Sequence, residues 1–181
     1  YTFNTDFSGL YQLKFDMTDM ANYGVEDPDS VPNVFEGFNV DSVQDIYEQM
    51  DGLSKVDVKA EKNVLYVSYK FEDLTALNAS LATQNSSEFG LGASENSNKF
   101  SNEKGVFKYQ FADDSETATP DSIAQMMSFI DYEITMEFAK QIDEASNGIV
   151  DENRKRIDLS GNLGEVEKKK KSLNLEVTFK K

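Results

Sequence analysis

Two stretches near the C-terminal end constrain the fold more than anything else in the chain. Tyr132, Ile134, Met136 and Phe138 alternate with Glu133, Thr135, Glu137 and Ala139, and Leu173, Leu175, Val177 and Phe179 alternate with Asn174, Glu176, Thr178 and Lys180. A period of two sends one set of side chains to each face of a strand, so each stretch predicts a strand with one dry and one wet face. That pattern belongs to antiparallel sheet, because a parallel strand covered on both faces reads as an unbroken apolar run. Arg156-Ile157-Asp158-Leu159 is a shorter copy, separated from the first strand by the turn signal Asn147-Gly148.

The upstream chain supplies more of the same. Tyr11, Leu13, Phe15 and Met17 share one face of a strand that pairs with Tyr1–Asp6 through Asp6-Phe7-Ser8-Gly9, where Gly9 is expected to take the left-handed conformation. Asp41-Ser42-Val43-Gln44 has the form of a capping box and opens a helix carrying Val43, Ile46, Tyr47 and Met50, ended by Gly52. Val56, Val58 and Ala60, then Leu65, Val67, Tyr69 and Phe71, form a hairpin across Glu61-Lys62-Asn63. Asp73 caps a second helix with Leu74, Leu77 and Leu81 on one stripe. Phe107, Tyr109 and Phe111 make another strand, and Thr119-Pro120 opens a third helix with Ile123, Met126, Met127 and Ile130 inward.

Together these elements predict a single α+β domain over residues 1–181: a twisted, mainly antiparallel sheet of about seven to eight strands with about three helices packed on one face. Periodicity fails at about 19–39 and 84–104, which read as long loops. At 181 residues the chain can bury a core without disulfides or metals.

Composition removes several classes of function. Histidine and cysteine are both absent, which takes away the commonest general base, the commonest transition-metal ligand and all thiol chemistry. A net charge of −15 excludes nucleic acid as a partner, since phosphates need a basic footprint. The charge is uneven, with residues 154–181 holding nine Lys or Arg against four Asp or Glu. No stretch reaches the roughly 18 apolar residues that a membrane-spanning helix needs.

The strand order resembles that of a family of envelope lipoproteins from Bacteroides-type bacteria, itself similar at a distance to the LppM-like lipoproteins. The resemblance rests on Tyr132-Glu133-Ile134-Thr135-Met136-Glu137-Phe138, Ser146-Asn147-Gly148, Arg156-Ile157-Asp158-Leu159 and Leu173-Asn174-Leu175-Glu176-Val177. The opening hairpin through Asp6-Phe7-Ser8-Gly9 and the strand Lys14-Phe15-Asp16-Met17 fit the same pattern. It departs at Phe138-Ala139-Lys140, where many relatives carry Phe-Pro. The resemblance implies an exported, non-catalytic ectodomain, held at the bacterial outer membrane or cell surface by a lipid on a residue upstream of Tyr1. It also implies a monomer that binds a lipid, a glycolipid or an envelope protein, with no cofactor, no metal and no catalytic residue.

Candidate chemistry is thin. Glu26-Asp27-Pro28-Asp29 and Asp113-Asp114-Ser115-Glu116 are rich in carboxylates but lack the ligand spacing of a calcium loop. A carboxylate-based hydrolase needs only two acids, and 33 acids supply such pairs without meaning. The serines have no base to activate them. Asn78-Ala79-Ser80 and Asn85-Ser86-Ser87 match a glycosylation sequon by composition alone. Lys168, Lys169, Lys170 and Lys171 are the candidate contact with an anionic surface, each lysine near such a surface being worth about 1 kcal/mol. Tyr11, Phe15, Tyr69, Phe71, Phe107, Tyr109, Phe111, Met126, Met127, Phe138 and Phe179 form either a core or, if the helices stand off the sheet, an apolar cavity wall. A cavity of several hundred Å³ would favour a ligand binder, and a filled core with an exposed apolar patch an interaction module, the alternative function.

Overall fold

The structure, a computed structural model, describes residues 1–22, 32–84, 98–111, 131–162 and 172–180. In chain order its elements are β1 (Thr2–Phe3), β2 (Gly9–Asp16), the single turn α1 (Thr18–Asn22), α2 (Val40–Glu48), β3 (Leu53–Glu61), β4 (Val64–Phe71) and α3 (Leu74–Gln84). They continue as β5 (Lys99–Glu103), β6 (Val106–Gln110), β7 (Asp131–Phe138), β8 (Ile142–Ala145), β9 (Ile149–Val150), β10 (Arg156–Asn162) and β11 (Leu175–Phe179).

The strands form two sheets, one in the order β3-β4-β2-β1-β7-β10-β9 and one in the order β5-β6-β11-β8. This overturns the expected fold of one sheet of about seven to eight strands with about three helices on one face. Among the described residues there are eleven strands, only two helices longer than one turn, and a mostly β architecture. Alternation reports that one face of a strand is dry, and says nothing of whether helix or sheet dries it. The helix expected at Thr119–Ile130 lies outside the described residues.

The C-terminal strands divide between the two sheets. β7 and β10 pair antiparallel from Asp131↔Asn162 to Glu137↔Arg156, whereas β11 pairs with β6 and β8 in the smaller sheet. One pairing among the described residues is parallel: β1 with β7, through Thr2↔Glu137 and Phe3↔Phe138.

Aromatic side chains join the layers. The Phe107 ring of the smaller sheet lies 5.0 Å from that of Phe3 and 5.1 Å from that of Phe138, both on the larger sheet. Phe138 in turn meets Phe179 at 5.2 Å. Farther along the same inner face, helices take over as cover. Tyr47 of α2 packs on Tyr69 of β4 at 5.2 Å, and the Tyr69 hydroxyl shares a 2.6 Å hydrogen bond with Ser80 Oγ of α3. Burial pushes the Tyr69 hydroxyl well above its ordinary pKa.

Local details correct the expected turns and caps. Phe7, not Gly9, adopts the left-handed backbone (φ 64°) in the first hairpin. Gly9 is required for close approach, because a Cβ there would sit 1.9 Å from the Thr2 carbonyl oxygen. Helix α2 is capped two residues upstream of Asp41, by Asn39, whose Oδ1 accepts the Ser42 N–H at 3.0 Å. Asp73 caps α3 as expected, accepting from the Ala76 N–H at 2.9 Å.

Residues 99–103, read from composition as loop, form β5. Phe100 alone points inward, among Lys99, Ser101, Asn102 and Glu103, so no period shows. Lys104 and Gly105 both have positive φ, the signature of the two-residue turn that matches strand twist, and lead into β6.

Candidate functional site

The aromatic set is the first candidate to resolve. Tyr11, Tyr69, Phe71, Phe107, Tyr109 and Phe138 are buried, and Phe15, Phe111 and Phe179 are partly buried against them. Met126 and Met127 lie outside the described residues. Tyr11 stacks on Tyr69 at 4.7 Å and Phe100 meets Tyr109 at 4.8 Å, distances at which rings fill space against each other. The set is packed core between the sheets and under the helices.

A cleft of about 700 Å³ opens where β1, the end of β7 and the turn 151–156 converge. It is lined by Thr2, Asn4, Gln141 and Asn153, and its exposed rim carries Glu137, Glu152, Lys155 and Arg156, while the rings of Phe3 and Phe138, which border it along the strands, are buried. The turn is held from within. The Asp151 carboxylate accepts the backbone N–H groups of Arg156, Lys155 and Asn153, and those bonds lower its pKa. Arg154 sits at φ 55° and donates from its guanidinium to the carbonyls of Ile142 and Asp143, tying the turn to β8. Arg156 donates to Asp158 Oδ1 at 2.9 Å, and Thr135 Oγ1 donates to the same oxygen at 2.6 Å. The rim is therefore mixed in sign, rigid and wet. Such a surface can hydrogen-bond a polar ligand.

A second, smaller cleft of about 230 Å³ lies beside Asn147, Ser160 and Ser172, with Ile149 on its lip 75% exposed. No group of three or more acidic side chains close enough to hold a metal occurs among the described residues.

Other residues named from the sequence fall as follows. Lys168–Lys171 lie outside the described residues, as do both acidic loops and the sequon at Asn85. The sequon at Asn78 is structural: its side-chain amide donates to the Phe100 carbonyl at 2.8 Å and its Oδ1 accepts the Phe100 N–H at 2.7 Å. Ser80, the third sequon residue, is fully buried. The cleft escaped sequence reasoning because β1 and the turn 151–156 are too short to show a period. The legible sign was Asp151 preceding Asn153, a side chain prone to bond the backbone just after it.

No protein-family model matches the chain, and no curated protein does. A similar solved structure is the NMR structure of the folded domain of the Mycobacterium tuberculosis LppM protein. It has 14% identity and a TM-score of 0.39, covering 71% of this chain and 66% of that one. The chain thus spans about two thirds of that structure's length, 66%. This neighbour belongs to the LppM group named by the strand-pattern resemblance, and at that score nothing about ligand or activity transfers from it.

Proposed function

We propose that this chain is the non-catalytic ectodomain of an exported, lipid-anchored envelope lipoprotein, and that it works as a protein-interaction module. One observation carries the second half of that reading. The aromatic side chains that could have walled a lipid cavity are consumed in ring-to-ring contacts within and between the sheets. Export and anchoring are supported by the strand-and-turn likeness to Bacteroides-type lipoproteins at both ends of the chain.

Native mass spectrometry of the protein purified from its own envelope tests the reading. The expected species is the chain with a partner polypeptide and no non-covalent lipid. One retained lipid per chain overturns it. A second reading, contact with the polar head of a glycolipid, is favoured by the mixed-charge rim of the 700 Å³ cleft. It predicts that a soluble headgroup glycan shifts the amide signals of Glu137, Glu152 and Arg156.

A further inference from the structure

The sequence holds one asparagine followed by glycine, Asn147-Gly148, in the turn that carries the chain from β8 in the smaller sheet to β9 in the larger. Asn147 holds more than its own turn. Its Nδ2 donates to the carbonyl oxygens of Ser172 at 2.7 Å and Asn174 at 3.2 Å, on the segment that enters β11. The Asn174 side chain in turn accepts the Phe111 N–H at 2.8 Å just past the end of β6, and Ser172 Oγ accepts the Asn174 N–H at 3.1 Å. One half-buried side-chain amide therefore ties together the end of β8, the start of β11 and the end of β6.

Gly148 cannot be exchanged to protect its neighbour. It has φ 82°, and a Cβ there would lie 2.7 Å from Ile157 Cγ2, 2.9 Å from Leu159 Cδ2 and 3.0 Å from the Asp158 carbonyl oxygen. The pair is thus fixed by the fold, although it is the pair in which an asparagine is most easily lost. With no side chain on the following residue, nothing crowds the glycine nitrogen as it approaches Cγ. In that reaction the Gly148 nitrogen gives its proton to solvent and bonds to Asn147 Cγ, and Nδ2 leaves as ammonia with a proton taken from solvent. Water then opens the resulting succinimide to aspartate or isoaspartate.

The folded turn opposes each step. The Gly148 N–H donates to Asn147 Oδ1 at 2.8 Å, so its nitrogen must turn before it can attack Cγ, and departure of Nδ2 breaks both bonds to residues 172–174. Both events require the turn to open. Once formed, neither product restores the contact. Aspartate sets a carboxylate against two carbonyl oxygens, acceptor against acceptor, and isoaspartate lengthens the backbone by one carbon beside a closely packed glycine. We propose that Asn147 is a deamidation site held dormant by the fold, and that its conversion on local opening is a one-way step that frees residues 172–174 from the turn. None of this depends on what the chain binds.

Peptide mass spectrometry tests the first half, on the folded protein and on the same chain in urea, incubated side by side in warm, mildly alkaline buffer. The reaction adds about 1 Da to the peptide holding Asn147 and exchanges an amide for a carboxylate. In urea Asn147 should convert faster than any other asparagine of the chain. In the folded protein it should convert at least about tenfold more slowly than in urea, because only the open turn reacts. Equal rates in the two states overturn the proposal. Amide exchange by NMR tests the second half. Asn147→Asp, which carries one of the two products, should speed exchange of the Phe111 N–H at least about fivefold and shift the signals of Ser172, Leu173 and Asn174. If that variant fails to fold, Asn147→Ala, which loses the two donated bonds without adding charge, should move the same signals in the same direction. Exchange at Phe111 unchanged from the parent in a folded variant overturns the release of residues 172–174.

Discussion

Replacing Asn78 by alanine should cost more stability than a half-exposed helix residue ordinarily would. Its amide grips both backbone groups of Phe100, at 2.8 Å and 2.7 Å, on β5, an edge strand of the smaller sheet. In effect one side chain of α3 bonds the outer side of β5 where no strand pairs with it among the described residues, which also shields that edge from other chains. Asn78→Ala strands one donor and one acceptor. Each unsatisfied buried group costs about 1–3 kcal/mol, and because the site is partly buried and admits water, the lower half of that range applies. The expected loss is about 2–4 kcal/mol, or about 4–16 °C in Tm for a chain of this length by calorimetry. Asn78→Asp separates the two bonds. Its carboxylate still accepts the Phe100 N–H but repels the Phe100 carbonyl, so at neutral pH it should be no more stable than the alanine variant. In acid the protonated form regains a donor, so the gap to the parent should narrow as pH falls. An alanine variant within 0.5 kcal/mol of the parent, or an aspartate variant equal to it at pH 7, would refute the two-point grip.

Val177 is fully buried while its neighbour Glu176 is exposed and pairs with Lys108 at 3.0 Å. Val177→Asp should therefore cost about 3–5 kcal/mol and Glu176→Lys less than about 1 by chemical denaturation. Gly9→Ala, which drives a Cβ into the Thr2 carbonyl, should melt lower than the parent and lose the β1–β2 cross-strand NOEs. Hydrogen bonds from Thr18 and the Lys14 ammonium hold the Asp16 carboxyl at about 2, against an ordinary 3.8. Its stabilising contribution is then present above pH 3.8 and lost as pH falls towards 2, and a carboxyl titration by NMR should show that low midpoint. Lys168–Lys171, taken together to serine, should weaken sedimentation with anionic vesicles at low salt and leave it unchanged at physiological salt, where the Debye length is about 8 Å.

The sequence carried strand faces well and their partners poorly. Leu65, Val67, Tyr69 and Phe71 are buried in alternation with less buried neighbours, as their spacing requires, and Leu77 and Leu81 lie inward on α3. What alternation omits is the covering layer. Leu175 and Val177 read like Ile134 and Met136, yet the two pairs sit in different sheets, because the assignment depends on distant pairing with Tyr109 and Phe107. β5 was hidden because an edge strand with a single inward side chain has no period. The grip of Asn78 was hidden because an asparagine in a helix carries no signal of what it reaches. The cap at Asn39 was displaced from the expected Asp41 because residues of both types favour that position. For the candidate site the limit was sharper: the cleft is built from turns and backbone, which no residue pattern encodes.

The central claim, that the aromatic side chains fill the core and leave no room for a lipid, is most directly tested by ring-proton NOEs recorded with an added isotope-labelled lysolipid. The account predicts cross-sheet NOEs from Phe107 to Phe3 and to Phe138, whose centroids lie 5.0 and 5.1 Å away, with no NOE from any of these rings to acyl-chain protons. Acyl-to-ring NOEs at Phe107 and Phe138, accompanied by loss of the Phe3–Phe107 NOE, would contradict it.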